Sequence, residues 1–362
     1  MKTTSAAEAI GVRKIGSEAH QLGPIDGLES LRQHLQCALE YEHFTIPPYL
    51  CALYSLDEAR NQAAAEIVSS VVIEEMLHLS LVANLLNSIG GNPRLDLPRV
   101  LPGYPLQVSH GDHMLEIPLL SFCREAVDVF MSIEQPSSPS GPPEDGRYES
   151  IGQFYKAVED GFIRLSDQLG QAEVFCGDPP RQVGNDTYSG GGRIIQVTDL
   201  ASALAALNEI VEQGEGSVRD QVWDGDTDVF HPERQQVAHY YRFQELKLGR
   251  RYRRGDTPAT GPTGESISID WDGVHLMRSN SRIADSPPNS PVRKAQEEFN
   301  RHYCNLLAGL ELAFNGSPPL LVAAVEDMYW LKTKAKSLMT MPMEDGANAA
   351  GPSFEYVAPS DR

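Results

Sequence analysis

The chain has 362 residues, 41% of them hydrophobic and 22% charged, which is enough to bury a core without staples. Its formal net charge of −20 speaks against nucleic acid and anionic membrane surfaces, both of which require a basic face. Five scattered cysteines, none in a CxxC pair, argue against a disulfide framework and suit a reduced, cytoplasmic protein.

Residues 1–24 lack the apolar core of a signal peptide and read as a flexible leader. No stretch has the length of a membrane span. A first helix is expected over 27–54, with Leu28, Leu31, Leu35, Leu39 and Glu42 on one stripe. Pro47 and Pro48 remove two backbone donors and predict a bend after Glu42–His43. A second helix is expected over 56–89, stopped by Gly90, Gly91 and Pro93.

Residues 94–122 read as loops with a hairpin, and 119–133 as a short strand or helix. QPSSPSGPPEDGR is a linker by composition. Further helices are expected over 150–169, 198–213, 232–252, 290–315 and 318–341, with one small strand in SISIDW. The fold class is mainly all-α, a four-helix bundle with extra helices. The domain runs over 25–345, with insertions at 94–147, 176–196 and 255–290 and an irregular tail over 346–362.

The chemistry sits in the second helix. Ile67, Val71, Glu75, His78, Val82, Leu86 and Ile89 follow steps of three and four, so Glu75 and His78 interrupt an apolar stripe. A buried carboxylate must be paired or bound to metal. Glu-x-x-His is the unit that dimetal carboxylate bundles repeat, while a buried Glu–His hydrogen bond is the plainer alternative. Glu74 competes from the flank.

Glu42 continues the first helix's stripe, either as a ligand or as a capping acid near the bend. Glu159 shares a face with Ile151, Tyr155, Val158 and Phe162. In the fourth helix Glu212 and Glu215 form Glu-x-x-Glu, which either stands in for a second Glu-x-x-His or forms a solvated helix end. His239 shares a face with Phe243 and Leu246 and supplies the missing imidazole, unless it is packed core. Mixed carboxylate and imidazole donors suit two ions of iron or manganese, and zinc fits the same donors. The His110/His113 pair reads as surface, Gly190–Gly192 as a flexible turn, and His302 as packing.

LEYEHFTIPPYLCALYS, VIEEMLHLSLVANLLNSIGG, IGQFYKAVEDGF, EIVEQGEGS and HYYRFQEL, in that order, resemble the ferritin-like iminophenyl-pyruvate dimer synthase domain family, over about residues 27–340. The resemblance implies a ferritin-like bundle and a dimetal site held by Glu42, Glu75, His78, Glu159, Glu212 and His239. It also implies oxidative coupling of imines derived from an aromatic amino acid. Known members of bisindole pathways are much longer chains, some linked with haem, and one fold hosts many reactions. The expected function is therefore a dioxygen- or peroxide-dependent dimetal oxidoreductase of specialised metabolism. Its expected partners are a small amino-acid-derived substrate and dioxygen, and homo-oligomerisation is left open. The rivals are metal storage or peroxide scavenging of ferritin type, and a metal-free helical scaffold.

Overall fold

The computed structural model describes residues 14–15, 22–95, 98–110, 113–136, 148, 150–186, 191–215, 222–344, 346 and 348–358. Most of the expected leader and of the 135–147 linker lies outside these residues.

Two long helices form the spine, α1 (Leu28–Ser55) and α2 (Gln62–Ser88). The α1 start is fixed by the Ser30 hydroxyl, which accepts the backbone N–H groups of Asp26 and Gly27 at 2.9 and 3.0 Å. Side chains facing a neighbour lie near both ends of the pair. Arg32 donates to the Ile89 carbonyl, and Thr45 reaches Glu75, so the two helices run antiparallel.

The helix runs through Pro47 and Pro48 instead of ending there. Proline at 48 deprives the Phe44 carbonyl of its helical donor, and the Tyr104 hydroxyl donates to it at 2.9 Å. α2 begins at Gln62, later than its apolar pattern suggested. The Asp57 carbonyl takes the N–H groups of Arg60 and Asn61 and forms a turn first.

The expected hairpin is present as β2 (Leu106–His110) and β3 (His113–Ile117), antiparallel, with the short β1 (Lys14–Ile15) parallel to β2. The ambiguous 119–133 segment folds as α3 (Arg124–Ile133). Next come α4 (Ile151–Leu169), capped by the Ser150 hydroxyl, the single turn α5 (Gln171–Val174), and α6 (Leu200–Glu215). The expected helix over 232–252 divides. Gln235–Val237 is a strand, β5, paired with β4 (Trp223–Thr227), and α7 spans only His239–Leu248. SISIDW forms one isolated bridge, Arg250 to Ser266, in place of a strand.

α8 (Pro291–Phe314) and α9 (Leu320–Leu338) pack as a second pair across α1 and α2. α3 lies against α7, and α4 against α6, around the other side of the spine. The result is mainly helical, with a core running through α1 and α2. The tail is irregular but not loose: Phe354 is fully buried against Phe299 and Tyr303. Among the described residues no helix is long and apolar enough to cross a membrane.

Candidate metal centre

α2 is buried on almost every side, so its polar residues must find partners inside the protein. Glu75 and His78, one helical turn apart, both point toward α1, where Glu42 meets them. His78 Nδ1 lies 3.4 Å from Glu42 Oε2 and 4.0 Å from Glu75 Oε1. On the other side of Glu75 stand His239, at the first turn of α7, and Glu134, just past the end of α3. His239 Nδ1 lies 2.9 Å from Glu75 Oε1 and 3.5 Å from Glu134 Oε2.

Two donor groups result, Glu42/Glu75/His78 and Glu75/Glu134/His239, with Glu75 common to both. Within each group the donor atoms lie within 4.8 Å of one another. The two imidazoles stack with ring centroids 5.4 Å apart.

The outer hydrogen bonds fix which ring nitrogens face inward. His78 Nε2 is 2.9 Å from the Gln213 carbonyl oxygen, and His239 Nε2 is 2.9 Å from Glu74 Oε2. Each of those oxygens is an acceptor, so each Nε2 donates and, in the neutral imidazole, each Nδ1 turns a lone pair toward the carboxylates. His239 Nδ1 is fully buried and has no hydrogen-bond partner, although Glu75 Oε1 is 2.9 Å away. Lone pairs facing carboxylate oxygens at that distance repel unless a proton or a metal ion stands between them. The residues therefore fit a bound metal, with Glu75 common to both donor groups.

With no cation present the site is electrostatically costly. Burial, then the nearby Glu134 charge, pushes the Glu75 carboxyl up to about 7. Burial alone would lower His239, but the carboxylates of Glu134, Glu74 and Glu75 outweigh it and hold the imidazole well above its usual range. His78 is likewise raised, because Glu42 outweighs its burial.

A supporting layer surrounds the donors. Tyr155 of α4 donates to Glu42 Oε1, and Tyr49 of α1 donates to Glu134 Oε1. The Thr45 hydroxyl lies 2.9 Å from Glu75 Oε2. Behind His239, Glu74 accepts from Gln236 and from Arg242, whose Nη2 lies 2.7 Å from Glu74 and 2.8 Å from Asp224. Burial would raise Glu74, but Arg242 and then His239 hold it below the usual carboxylate range. Asp224 shares the same guanidinium and stays up at about 6, because burial prevails there.

A cleft of about 60 Å³ opens beside the donors, walled by Tyr41, Ile133, Ile151, Tyr155, Ile210 and Val211.

Of the residues expected from the sequence, Glu42, Glu75, His78 and His239 come together. Glu159 does not: its side chain is 38% exposed and lies 3.4 Å from Lys156. The α4 residue that reaches the centre is Tyr155, one turn earlier. Glu212 is half-buried beside Glu209 and outside both donor groups. α6 instead sends Gln213, an amide, to His78. Glu215 lies at the end of α6, and its side chain is outside the described part of the molecule. Gly191, read as part of a flexible turn, is held close to α2. A Cβ there would sit 2.6 Å from Ile73, and its carbonyl accepts from Gln213.

Glu134 was missed, although a signal existed. Val127, Met131 and Glu134 step along α3 by four and three, the same pattern that exposed Glu75.

A family model for ferritin-like proteins matches residues 35–248, more than half of the chain and all of its candidate donors. The chain belongs to the ferritin-like family. A ferritin-like protein from Caulobacter vibrioides, of known crystal structure, superposes with a TM-score of 0.59 at 23% identity, covering 91% of this chain and 99% of that one. Dichlorochromopyrrolate synthase from Lentzea aerocolonigenes is 26% identical over 321 residues, which is 79% of this chain. This ferritin-like chain spans only 29% of that relative's length.

Dimetal bundles of this kind draw one Glu from each of two helices and Glu-x-x-His from each of two others. Against that pattern, Glu42 and Glu134 stand where the single carboxylates would, and Glu75/His78 where one Glu-x-x-His would. The position three before His239 is Gln236, an amide turned to Glu74. This ferritin-like centre thus presents three carboxylates and two imidazoles.

Proposed function

We propose that this chain is a dimetal oxidoreductase, with iron as its metal and dioxygen as its oxidant, acting on a small substrate derived from an aromatic amino acid. The observation that carries this reading is the meeting of two interior donor groups, Glu42/Glu75/His78 and Glu75/Glu134/His239, on the shared carboxylate of Glu75. Glu42, Glu75 and His78 would hold one ion, and Glu75, Glu134 and His239 the other. Manganese suits the same donors. Iron bound there supplies the one-electron redox steps and the reactivity toward dioxygen.

The chain's own residues do the rest. Tyr155 and Tyr49 hold the outer oxygens of Glu42 and Glu134, leaving the inner ones for the ions. Gln213 and Glu74 keep the histidines in one tautomer. The apolar walls of the cleft beside the donors would hold water back from them once a substrate covers it. Likeness to dichlorochromopyrrolate synthase supports oxidative coupling, in the manner of the iminophenyl-pyruvate dimer synthase domain, as the outcome.

Ferrous loading without oxygen, followed by removal of free iron and metal analysis, tests the centre. About two ions per chain are expected. None bound would end this reading, and iron accumulating far beyond two would favour storage. Oxygen uptake with imines of aromatic 2-oxo acids, generated in place, then tests the substrate class. No uptake above the metal-loaded blank would remove it.

A further inference from the structure

A cavity of about 50 Å³ lies between the α1–α2 spine and the α8–α9 pair, walled mostly by leucines from all four helices. Helix geometry sets its place. His43, Met76 and Leu79 line it, and each directly follows one of the donors Glu42, Glu75 and His78 in the chain. Consecutive helical residues point about 100° apart, so the cavity lies round the side of α1 and α2 from the donors. Ile46 repeats the step: it lines the cavity, while Thr45 before it reaches Glu75.

The walls decide what the space can hold. Among the described residues no Asp, Glu, Lys or Arg lines it, so an ion would lose its hydration there without compensation. The polar groups present are mostly engaged. Ser80 donates to the Met76 carbonyl at 3.0 Å, and His43 Nε2 lies 3.0 Å from the Tyr303 hydroxyl. A buried water is held by about two to four polar partners. Here it would find His43 Nδ1, which is buried without a partner, and at most the Tyr54 hydroxyl. An apolar molecule displaces a water so weakly held at little cost. Dry apolar cavities of about 150 Å³ take up benzene or xenon. A smaller one admits xenon or a diatomic gas but no ring. Leu310, Val325 and Met328 of the lining are half-buried, so the cavity nears the surface along α8 and α9.

We infer that this cavity is a binding site for small apolar gas molecules and holds dioxygen beside the candidate metal centre. Dioxygen is uncharged and makes little use of hydrogen bonds, so it prefers such a space to water. The cavity then keeps the oxidant one helix layer away from the donors. That the gas is dioxygen rests on the oxidative reading of the centre. That the cavity takes gas rests on its size and walls alone and does not require bound metal.

Nuclear magnetic resonance of the metal-free protein, labelled at its leucine methyl groups and placed under pressurised dioxygen, tests it. Dioxygen is paramagnetic and speeds the relaxation of nuclei that it approaches. Leu79 and Leu307 line the cavity, whereas Leu165 and Leu207 are buried elsewhere, and all four are only 2% or 3% exposed. The dioxygen effect should be about twofold or more larger at Leu79 and Leu307, and xenon should shift the same two residues in a saturable way. Ala324→Leu adds carbon atoms to the cavity wall and should cut both effects by about half or more. Val325→Phe, at a half-buried position, serves the same purpose if Ala324→Leu does not fold. Equal relaxation at the four leucines, or effects unchanged in the folded filling variant, would overturn the inference and leave the metal centre untouched. Failure of iron to bind is measured separately and would remove the oxidative reading, not the gas site.

Discussion

Glu75 belongs to both donor groups, so exchanging its carboxylate for an amide removes a donor from each. Glu75→Gln should lower bound iron from about two ions per chain to one or fewer, read by metal analysis. Glu74 acts differently, because it belongs to neither donor group and anchors Arg242 and His239 from behind. Glu74→Gln leaves a buried guanidinium with Asp224 as its one carboxylate, and should cost about 3–5 kcal/mol in urea unfolding. A loss below about 1 kcal/mol would show that the layer adds nothing to stability. The inward aim of Glu42, Glu75 and His78 was legible, since each interrupts an apolar stripe. The role of Glu74 was not. α2 is buried all round, so its flank faces protein as fully as its face does, and periodicity cannot separate the two.

At the level of elements, α3 is what the sequence hid. It is only ten residues long, sits between a hairpin and a linker, and reads as strand or helix. Yet Phe130 packs on Tyr49 and Phe243 with centroids 4.6 and 5.1 Å apart, fixing α3 to α1 and α7 and bringing Glu134 to the centre. Two paired variants separate the structural placement from the sequence expectation. Glu134→Gln should reduce bound iron, while Glu159→Gln on α4 should leave it unchanged; the reverse result would overturn the assignment of α3. Phe130→Ala should cost about 3–5 kcal/mol in urea unfolding, through the cavity it leaves. α7 was legible as a helix but not in its start. The partner strand of Gln235–Val237 reads WDGDT, whose Gly and Asp residues disfavour a strand, so the pairing has no local signal.

For the molecule as a whole, acid should be more damaging than the abundance of carboxylates suggests. His34 and His43 are buried, and burial holds both imidazoles down, His43 to about 4. Below about pH 6.5 the unfolded chain takes up protons that these folded imidazoles refuse. The contribution of these two groups to stability therefore falls as the pH drops from about 6.5 toward 4, by at most about 1.4 kcal/mol per unit for each, against the opposite pull of the raised His78, His239 and Glu75. Urea titrations at about pH 7 and pH 5 should show a larger loss for the native chain than for His43→Gln, and equal losses would exclude this source. The helical bundle was legible because long amphipathic helices announce themselves, and the ferritin-like family because motifs such as VIEEMLHLSLVANLLNSIGG stand in order. The pairing of α8 and α9 across the spine depends on packing that no single helix encodes.

The five inward-facing side chains are gathered from residue 42 to residue 239, on three helices and at the end of a fourth. Nothing short of most of the polypeptide can assemble them, and the hairpin that ends at Val237 delivers His239 last in chain order. An ion seated among them would act as a clasp on the whole fold and not on one corner of it. Loading should then slow amide exchange in α1, α2, α3 and α7 together, as one cooperative unit. Ions offered to a growing chain would find no complete set of donors until α7 had been made.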